Sequence, residues 1–560
     1  MFKLNEMRNR YTIVFCLLLT SFYATSQDVP KGWHLLDYAS DSFYGISINK
    51  AYKFLEQKKI KSNTVIVGVL DSGVDTLHED LKNILWHNPK EIAGNNTDDD
   101  KNGYVDDVYG WNFLGNKNGR NIIKISDEKT RVYYQYKTQF AGQKIDTTTL
   151  LEKDFAAYKL WKRAAADMNI STETEFEIAM IDMAINALKK YDNILKTEMG
   201  QTEYTTESLE KFEPKTAEGK KSKYGYLTTI KMLEIGADEK NSSILSQLTD
   251  YVDQKKSAVA ATENAPENFR ANIIKDDYNN INDKFYGNPD VKAEKSNHGT
   301  HVAGIIAAQR KNGIGMDGVA DNVKIMAVRV VPDGDEYDKD IALAIIYAAD
   351  NGAKVLNMSF GKAFSPEKYW IDSAIKYAAT KDVLIVHAAG NETKNVDTTP
   401  SFPTAYFLNN SGKAANFITV GASTDPTIAN GEIVAYFSNY GKESVDVFAP
   451  GVKIYSTLPN ADNYGNLQGT SMAAPVVTGL AALLRSYFPS LTAIQTKDII
   501  EKSVYKPNLK NQVSVTVGKN KKREVIALQD ACKSGGIVNA ENAVILAYKI
   551  NMLNMGKQKK

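Results

Sequence analysis

The sequence predicts an α/β protein: a doubly wound, mostly parallel sheet carrying a large helical insertion. Three observations predict it. Short apolar runs end in small or polar residues: TVIVGVL (64–70), VKIMAVRVV (323–331), AKVLNMSF (353–360), DVLIVHAA (382–389) and FITVGA (417–422). Stretches of helical period lie between them: HVAGIIAAQ (301–309), DIALAIIYAAD (340–350) and WIDSAIKYAAT (370–380). Strands apolar on both faces, alternating with helices, indicate a sheet covered on both sides. Third, residues 120–290 break this alternation with charged, amphipathic helical stretches at 148–167, 174–199 and 227–259, the last with a possible break at Gly236.

From the N-terminus, Lys3, Arg8 and Arg10 precede the apolar run YTIVFCLLLTSF, and ATS follows at 24–26. A basic head, a short apolar core and small residues at a cleavage point predict a signal peptide over 1–26 and a secreted or periplasmic protein. Residues 32–55 read as a turn and a helix packed on the core. The predicted division is then 27–119 and 291–505 for two parts of one domain, 120–290 for the insertion and 506–560 for a C-terminal extension, with an unstructured tail from 554. No later stretch is apolar and long enough to cross a membrane. With 68 Lys and Arg against 67 Asp and Glu, the chain offers no charge excess to a nucleic acid. Two cysteines, Cys16 and Cys532, are too few for a disulfide framework.

The stretch GTSMAAPVVTGLAALL (469–484) joins a hydroxyl to a buried helix with an early proline. Proline is tolerated where helix amides lack partners, so Pro475 predicts a helix starting at Ser471 or Met472. That helix end favours negative charge beside Ser471. Ser471 is either a plain N-cap or a working group, and the rest of the edge decides. In doubly wound sheets, ligands bind beyond the carboxyl ends of the strands. Asp71 stands at such an end in DSGVDTLHEDL, and Asn391 follows another in HAAGNE. His298 heads the helix NHGTHVAGIIAA, with Gly299 allowing close approach. Carboxylate, imidazole, amide and hydroxyl thus fall on one predicted edge.

The segments VLDSGVD, HGTHVAGIIAA, LNMSFG, AAGN and GTSMAAPVVTGLAALL, in this order, resemble the subtilisin-like serine endopeptidases over roughly 34–120 and 270–505. The order Asp, His, Ser is also that family's. The resemblance implies a polypeptide substrate cleaved through a covalent acyl-enzyme, with no cofactor needed for the chemistry. Ser471 would be the nucleophile, His298 the base and then acid, and Asp71 its orienting carboxylate. Asn391 and the Ser471 amide would hold the oxyanion. Ser359, Phe360 and Gly361 would pair with the extended substrate, and Ala388, Ala389 and Gly390 would form one wall of the primary pocket. Lys362 replaces the glycine usual in the family, which is expected to narrow or charge the cleft. The insertion has no counterpart in the resemblance and reads as a stabilising decoration, a lid or a partner-docking arm.

Residues 98–107, DDDKNGYVDD, space oxygen ligands as an EF-hand-type loop begins: Asp98, Asp100 and Asn102, then Gly103, with Asp106 beyond. Tyr109 stands where the closing Glu belongs, so the loop is either a structural calcium site or a solvated acidic turn. HGTH invites zinc through His298 and His301, but no third ligand is evident. Two rival readings remain at this level: a catalytically silent binding protein on the same fold, and a metallohydrolase.

Overall fold

The computed structural model describes residues 29–558, apart from 169–171, 234, 236–238, 293–295, 430, 508–512 and 518–521. The apolar runs form strands β1 (Val65–Asp71), β3 (Val323–Arg329), β4 (Val355–Met358), β5 (Leu384–Ala388) and β6 (Phe417–Ser423). Two further strands, β2 (Gly110–Asn112) and β7 (Val447–Pro450), close the edges. The order is β2-β3-β1-β4-β5-β6-β7, and every neighbouring pair is parallel.

Alternation along each strand splits the apolar residues between two cores. Val67, Val69, Val355, Val386 and Ile418 face one core, with α8 (Asn297–Ala307) and α11 (Thr470–Tyr487) above them. Leu70, Met326, Val328, Leu356 and Ile385 face the other, under α9 (Asp338–Asp350) and α10 (Lys368–Thr380). Burial on both faces is why these strands read as unbroken apolar runs.

A helix α1 (Ile48–Gln57) opens the domain and packs against the last helix, α13 (Ala540–Gln558); α12 (Ala493–Lys502) lies before it in the chain. Ala540, Ala543, Val544 and Ala547 of α13 enter the first core. The helix runs on to Gln558, where an unstructured tail from 554 was expected. The expected signal peptide lies outside the described residues, and no described helix is long and apolar enough to cross a membrane.

The insertion forms helices α2 (Glu128–Phe140), α3 (Glu152–Asp167), α4 (Thr172–Met199), α5 (Thr206–Lys211), α6 (Ala217–Met232) and α7 (Asn241–Glu263). The helical stretch 227–259, with its possible break at Gly236, is shared between α6 and α7. Side-chain caps start several of them: Asp127 accepts from the Thr130 amide and Thr216 from the Gly219 amide. Leu188, Leu195, Tyr204, Leu209, Tyr226, Ile230 and Ile244 form a separate small core.

Candidate active site

Asp71 is the last residue of β1, and its carboxylate is almost wholly buried. Its Oδ1 accepts from the Ser72 amide at 2.7 Å and lies 2.8 Å from Nδ1 of His298, the second residue of α8. A β-carbon on Gly299 would sit 2.2 Å from the Gly73 carbonyl and 3.1 Å from the Asp71 carboxylate, so only glycine allows this approach. Burial works to strip the His298 proton, but the Asp71 charge and hydrogen bond outweigh it and raise the imidazole pKa.

Ser471 is the second residue of α11. Its hydroxyl donates to the Ser359 carbonyl at 3.0 Å rather than to His298. In return the Ser359 hydroxyl donates to the Ser471 carbonyl at 2.8 Å. Pro475 explains that second bond. The helix begins at Thr470, ahead of the expected Ser471 or Met472, and Pro475 lies past the partnerless amides and does remove a ladder bond. The orphaned acceptor is the carbonyl four residues back, Ser471, and Ser359 satisfies it. Behind Ser359 the chain of bonds continues: Asn357 donates to its hydroxyl at 2.9 Å, and the Thr478 hydroxyl donates to Asn357 Oδ1 at 2.9 Å.

Asn391 lies just beyond β5. Its Oδ1 accepts from both the amide and the hydroxyl of Thr470, each at 2.9 Å. The carbonyl end is thereby occupied, which leaves Nδ2 as the free donor beside the start of α11. Gly390 has φ +101°, and a β-carbon there would meet Asn439 Nδ2 at 2.4 Å.

A cleft of about 730 Å³ opens over these groups. Phe360, Gly361, Ala388, Gly390, Asn391 and Ser471 line it, with Asp127, Lys129, Ala166 and Asp167 of the insertion opposite. Two of the expected substrate-contacting residues, Ala389 of the wall and Ser359 of the substrate strand, are not in its lining. Ala389 is buried with Tyr44 and Phe448 behind the wall, and Ser359 turns inward to Ser471. Lys362 does not charge the cleft either. Its ammonium is buried 2.7 Å from each of Glu128 and Asp338, in an ion cluster that no local sequence pattern announces.

In the acidic loop, Asp98 and Asp100 gather with Glu91, their ligand oxygens within 4.8 Å of one another. Glu91 was missed because it stands seven residues ahead of the acidic run. Glu91 Oε2 is buried without a hydrogen-bond partner, and burial raises the carboxyl pKa. Asp106 is not in this group. Both its oxygens are taken by amides, of Gly94 at 2.9 Å and Asn96 at 2.8 Å. Asn102 Oδ1 accepts from the Tyr104 amide at 2.7 Å. His301 Nε2 pairs with the Gly465 carbonyl at 3.1 Å, and among the described residues it belongs to no metal-binding group.

A helix-started serine, a strand-end aspartate and an imidazole bonded to it thus stand on a parallel α/β sheet. The chain belongs to the subtilase family, peptidase S8, whose family model matches residues 62–525. It is 45% identical to a thermophilic serine proteinase of Bacillus sp. over 34% of this chain and 43% of that protein. It is 40% identical to thermitase of Thermoactinomyces vulgaris over 38% of this chain and 69% of thermitase. An extracellular protease of Xanthomonas campestris is 36% identical over 46% of this chain and 41% of its own length. Among solved structures, a protease from Pseudoalteromonas arctica aligns with TM-score 0.34 and 31% identity, covering 45% of this chain and 70% of that one.

Proposed function

We propose that the chain is a serine endopeptidase, exported by an N-terminal signal, that cleaves extended polypeptides through Ser471. The observation that carries this reading is the Asp71–His298 bond at 2.8 Å. It commits Nδ1 of the imidazole to the carboxylate and leaves Nε2 as the base. The Ser471 hydroxyl first turns from the Ser359 carbonyl to His298, a single rotamer change. Its oxygen then attacks the substrate carbonyl carbon as Nε2 takes the proton. Asn391 Nδ2 and the Ser471 amide stabilise the oxyanion. Collapse breaks the C–N bond, and His298 returns the proton to the leaving amine. Water repeats the sequence to release the acid. The substrate backbone would lie along Phe360 and Gly361, with its primary side chain between that strand and Ala388–Gly390.

The chain divides, on this reading, into a catalytic domain in two parts, 27–119 and 291–505, the insertion 120–290 and the extension 506–560. Glu91, Asp98 and Asp100 suit a structural calcium ion, since hard cations take carboxylate oxygens. The unpartnered Glu91 Oε2 supports that fit. Such an ion would cross-link the loop and take no part in bond cleavage. A fluorophosphonate probe tests the main reading. The expected result is labelling of the wild type at Ser471 and none of Ser471→Ala. An unreactive wild type would favour a silent binding protein instead.

A further inference from the structure

The substrate strand carries a second edge. Lys362, directly after Gly361, pairs its backbone with Phe402 in both directions, each bond 2.9 Å. Its side chain then runs inward to Glu128, the first residue of α2, and to Asp338. Ammonium and both carboxylates are buried, so neither carboxylate has water as an alternative partner. Arg131 also clasps Glu128, with Nη2 2.7 Å from the same Oε2 that Lys362 meets and Nε 3.1 Å from Oε1. The next residue, Ala363, accepts from Arg163 of α3 at 2.7 Å. The Arg163 guanidinium also lies 3.9 Å over the ring of Phe364, which is buried with Val132 of α2 and Ala164 of α3. Three consecutive residues beyond Gly361 therefore contact the insertion, by an ion pair, a hydrogen bond and packing.

From this juxtaposition we infer that the insertion is a fixed positioning element of the substrate cleft, acting through Glu128 and Arg163 on residues 361–364. The inference rests on the endopeptidase reading of Ser471 and of the Phe360–Gly361 strand. A lid would have to break a buried ion pair at every opening, which is costly because it leaves bare charges inside. A fixed brace asks for no such step. Its effect falls on substrate residues beyond the primary pocket, which lie along the strand. Binding energy from such remote residues is used to align the scissile bond, so loss of the brace lowers kcat as well as raising KM.

The test uses the full chain and two chromogenic amides that share one primary residue and one leaving group. One carries that residue alone; the other is a tetrapeptide. A small alkyl fluorophosphonate reads the nucleophile itself. Glu128→Gln should cut the advantage of the tetrapeptide by at least about tenfold, since it unpairs one side of a buried cation. Arg163→Met, at the more exposed contact, should cut it about threefold. Phosphonate labelling and the short amide should stay within about twofold of wild type in both. Equal losses on both amides, or an unchanged tetrapeptide advantage, would overturn the inference. Arg163→Met reads the same brace if Glu128→Gln is not recovered folded. A wild type that neither labels nor hydrolyses would sink the endopeptidase reading and this inference together.

Discussion

Helices α11 and α3 are similar in length and opposite in character. Every residue of α11 from Met472 to Ser486 is buried, whereas α3 buries only Ala164. The first is a core element that carries a catalytic-type serine at its head. The second is a solvated helix that touches the catalytic domain through a few side chains. The difference teaches where position comes from. In the sheet domain, packing from all sides holds each group, so local sequence already states its place. In the insertion, position depends on isolated long-range pairs such as Glu128–Lys362, which are 234 residues apart.

The largest effect expected in the packed region is on the imidazole. Asp71→Asn keeps the shape but removes the charge, and should lower kcat by about 10⁴, the scale seen when a triad carboxylate is replaced by its amide. The pH profile separates orientation from charge. On the proposed mechanism His298 is the base, so activity should fall as pH drops through its pKa. Asp71 raises that pKa above the ordinary 6.5, with a smaller contribution from Glu336. The acid limb of kcat/KM should therefore lie above pH 6.5 in the parent and shift to lower pH in Asp71→Asn. An unmoved limb would mean that another group titrates. No substitution at an exposed face of the insertion should approach this effect.

Asn391→Ala comes next. It should lower kcat by roughly 10²–10³ with a smaller change in KM, the magnitude of an oxyanion donor in a subtilisin. The prediction depends on Thr470, whose amide and hydroxyl occupy the other end of the Asn391 side chain. Steady-state kinetics on a peptide amide decides it. A loss confined to KM would place Asn391 in ground-state binding.

These groups were legible because each sits where a strand ends or a helix begins. Asp71, His298, Asn391 and Ser471 needed only the strand pattern and the resemblance. Four features were not legible, each for a physical reason. Pro475 predicts a helix start at Ser471 or Met472, but for either start, as for Thr470, its missing amide orphans the Ser471 carbonyl four residues back. Ala389 was placed in the pocket wall, although side chains alternate along a strand and Ala388 and Ala389 must point opposite ways. Lys362 was expected to charge the cleft because its partners, Glu128 and Asp338, come from distant helices. Glu91 lies outside the acidic run, and only the folded loop brings it to Asp98 and Asp100.

A smaller effect on turnover is expected at Thr478, about two helical turns beyond Ser471 on the same face. Thr478→Val keeps the shape and removes the donor to Asn357. It leaves a buried amide oxygen without its partner, which costs about 1–3 kcal/mol of stability. Turnover should fall by less than for Asn391→Ala, because the substitution acts on Ser471 only through Asn357 and Ser359. Urea unfolding together with kcat measures both. Unchanged stability would mean that the buried chain from Thr478 to Ser471 is not coupled.

The last prediction concerns stability alone. His387 is buried near the end of β5, and burial lowers its pKa to about 4 against a weaker opposing effect of the Phe360 backbone. His34 and His301 are held neutral in the same way, with pKa values lowered to about 3. The folded state thus refuses protons that the unfolded chain accepts below its ordinary pKa of about 6.5. Each imidazole contributes stability that is fully present above pH 6.5 and is lost as the pH falls from there towards the folded pKa. The slope is about 1.4 kcal/mol per pH unit for each group. Glu336 works in the opposite sense. Burial raises its pKa to about 8, so its contribution is full below pH 4.5 and fades as the pH rises through 8. The parent curve therefore mixes opposing slopes, and a difference curve is the cleaner measurement. His387→Leu removes the titrating group from a site whose nearest ring is Phe417, at 5.6 Å. Urea unfolding between pH 8 and pH 4 should give variant and parent stabilities within about 1.5 kcal/mol at the alkaline end. Below pH 6.5 the variant should gain on the parent by about 1.4 kcal/mol per pH unit. Parallel curves over that range would mean that His387 takes up its proton in the folded state as readily as in the unfolded one.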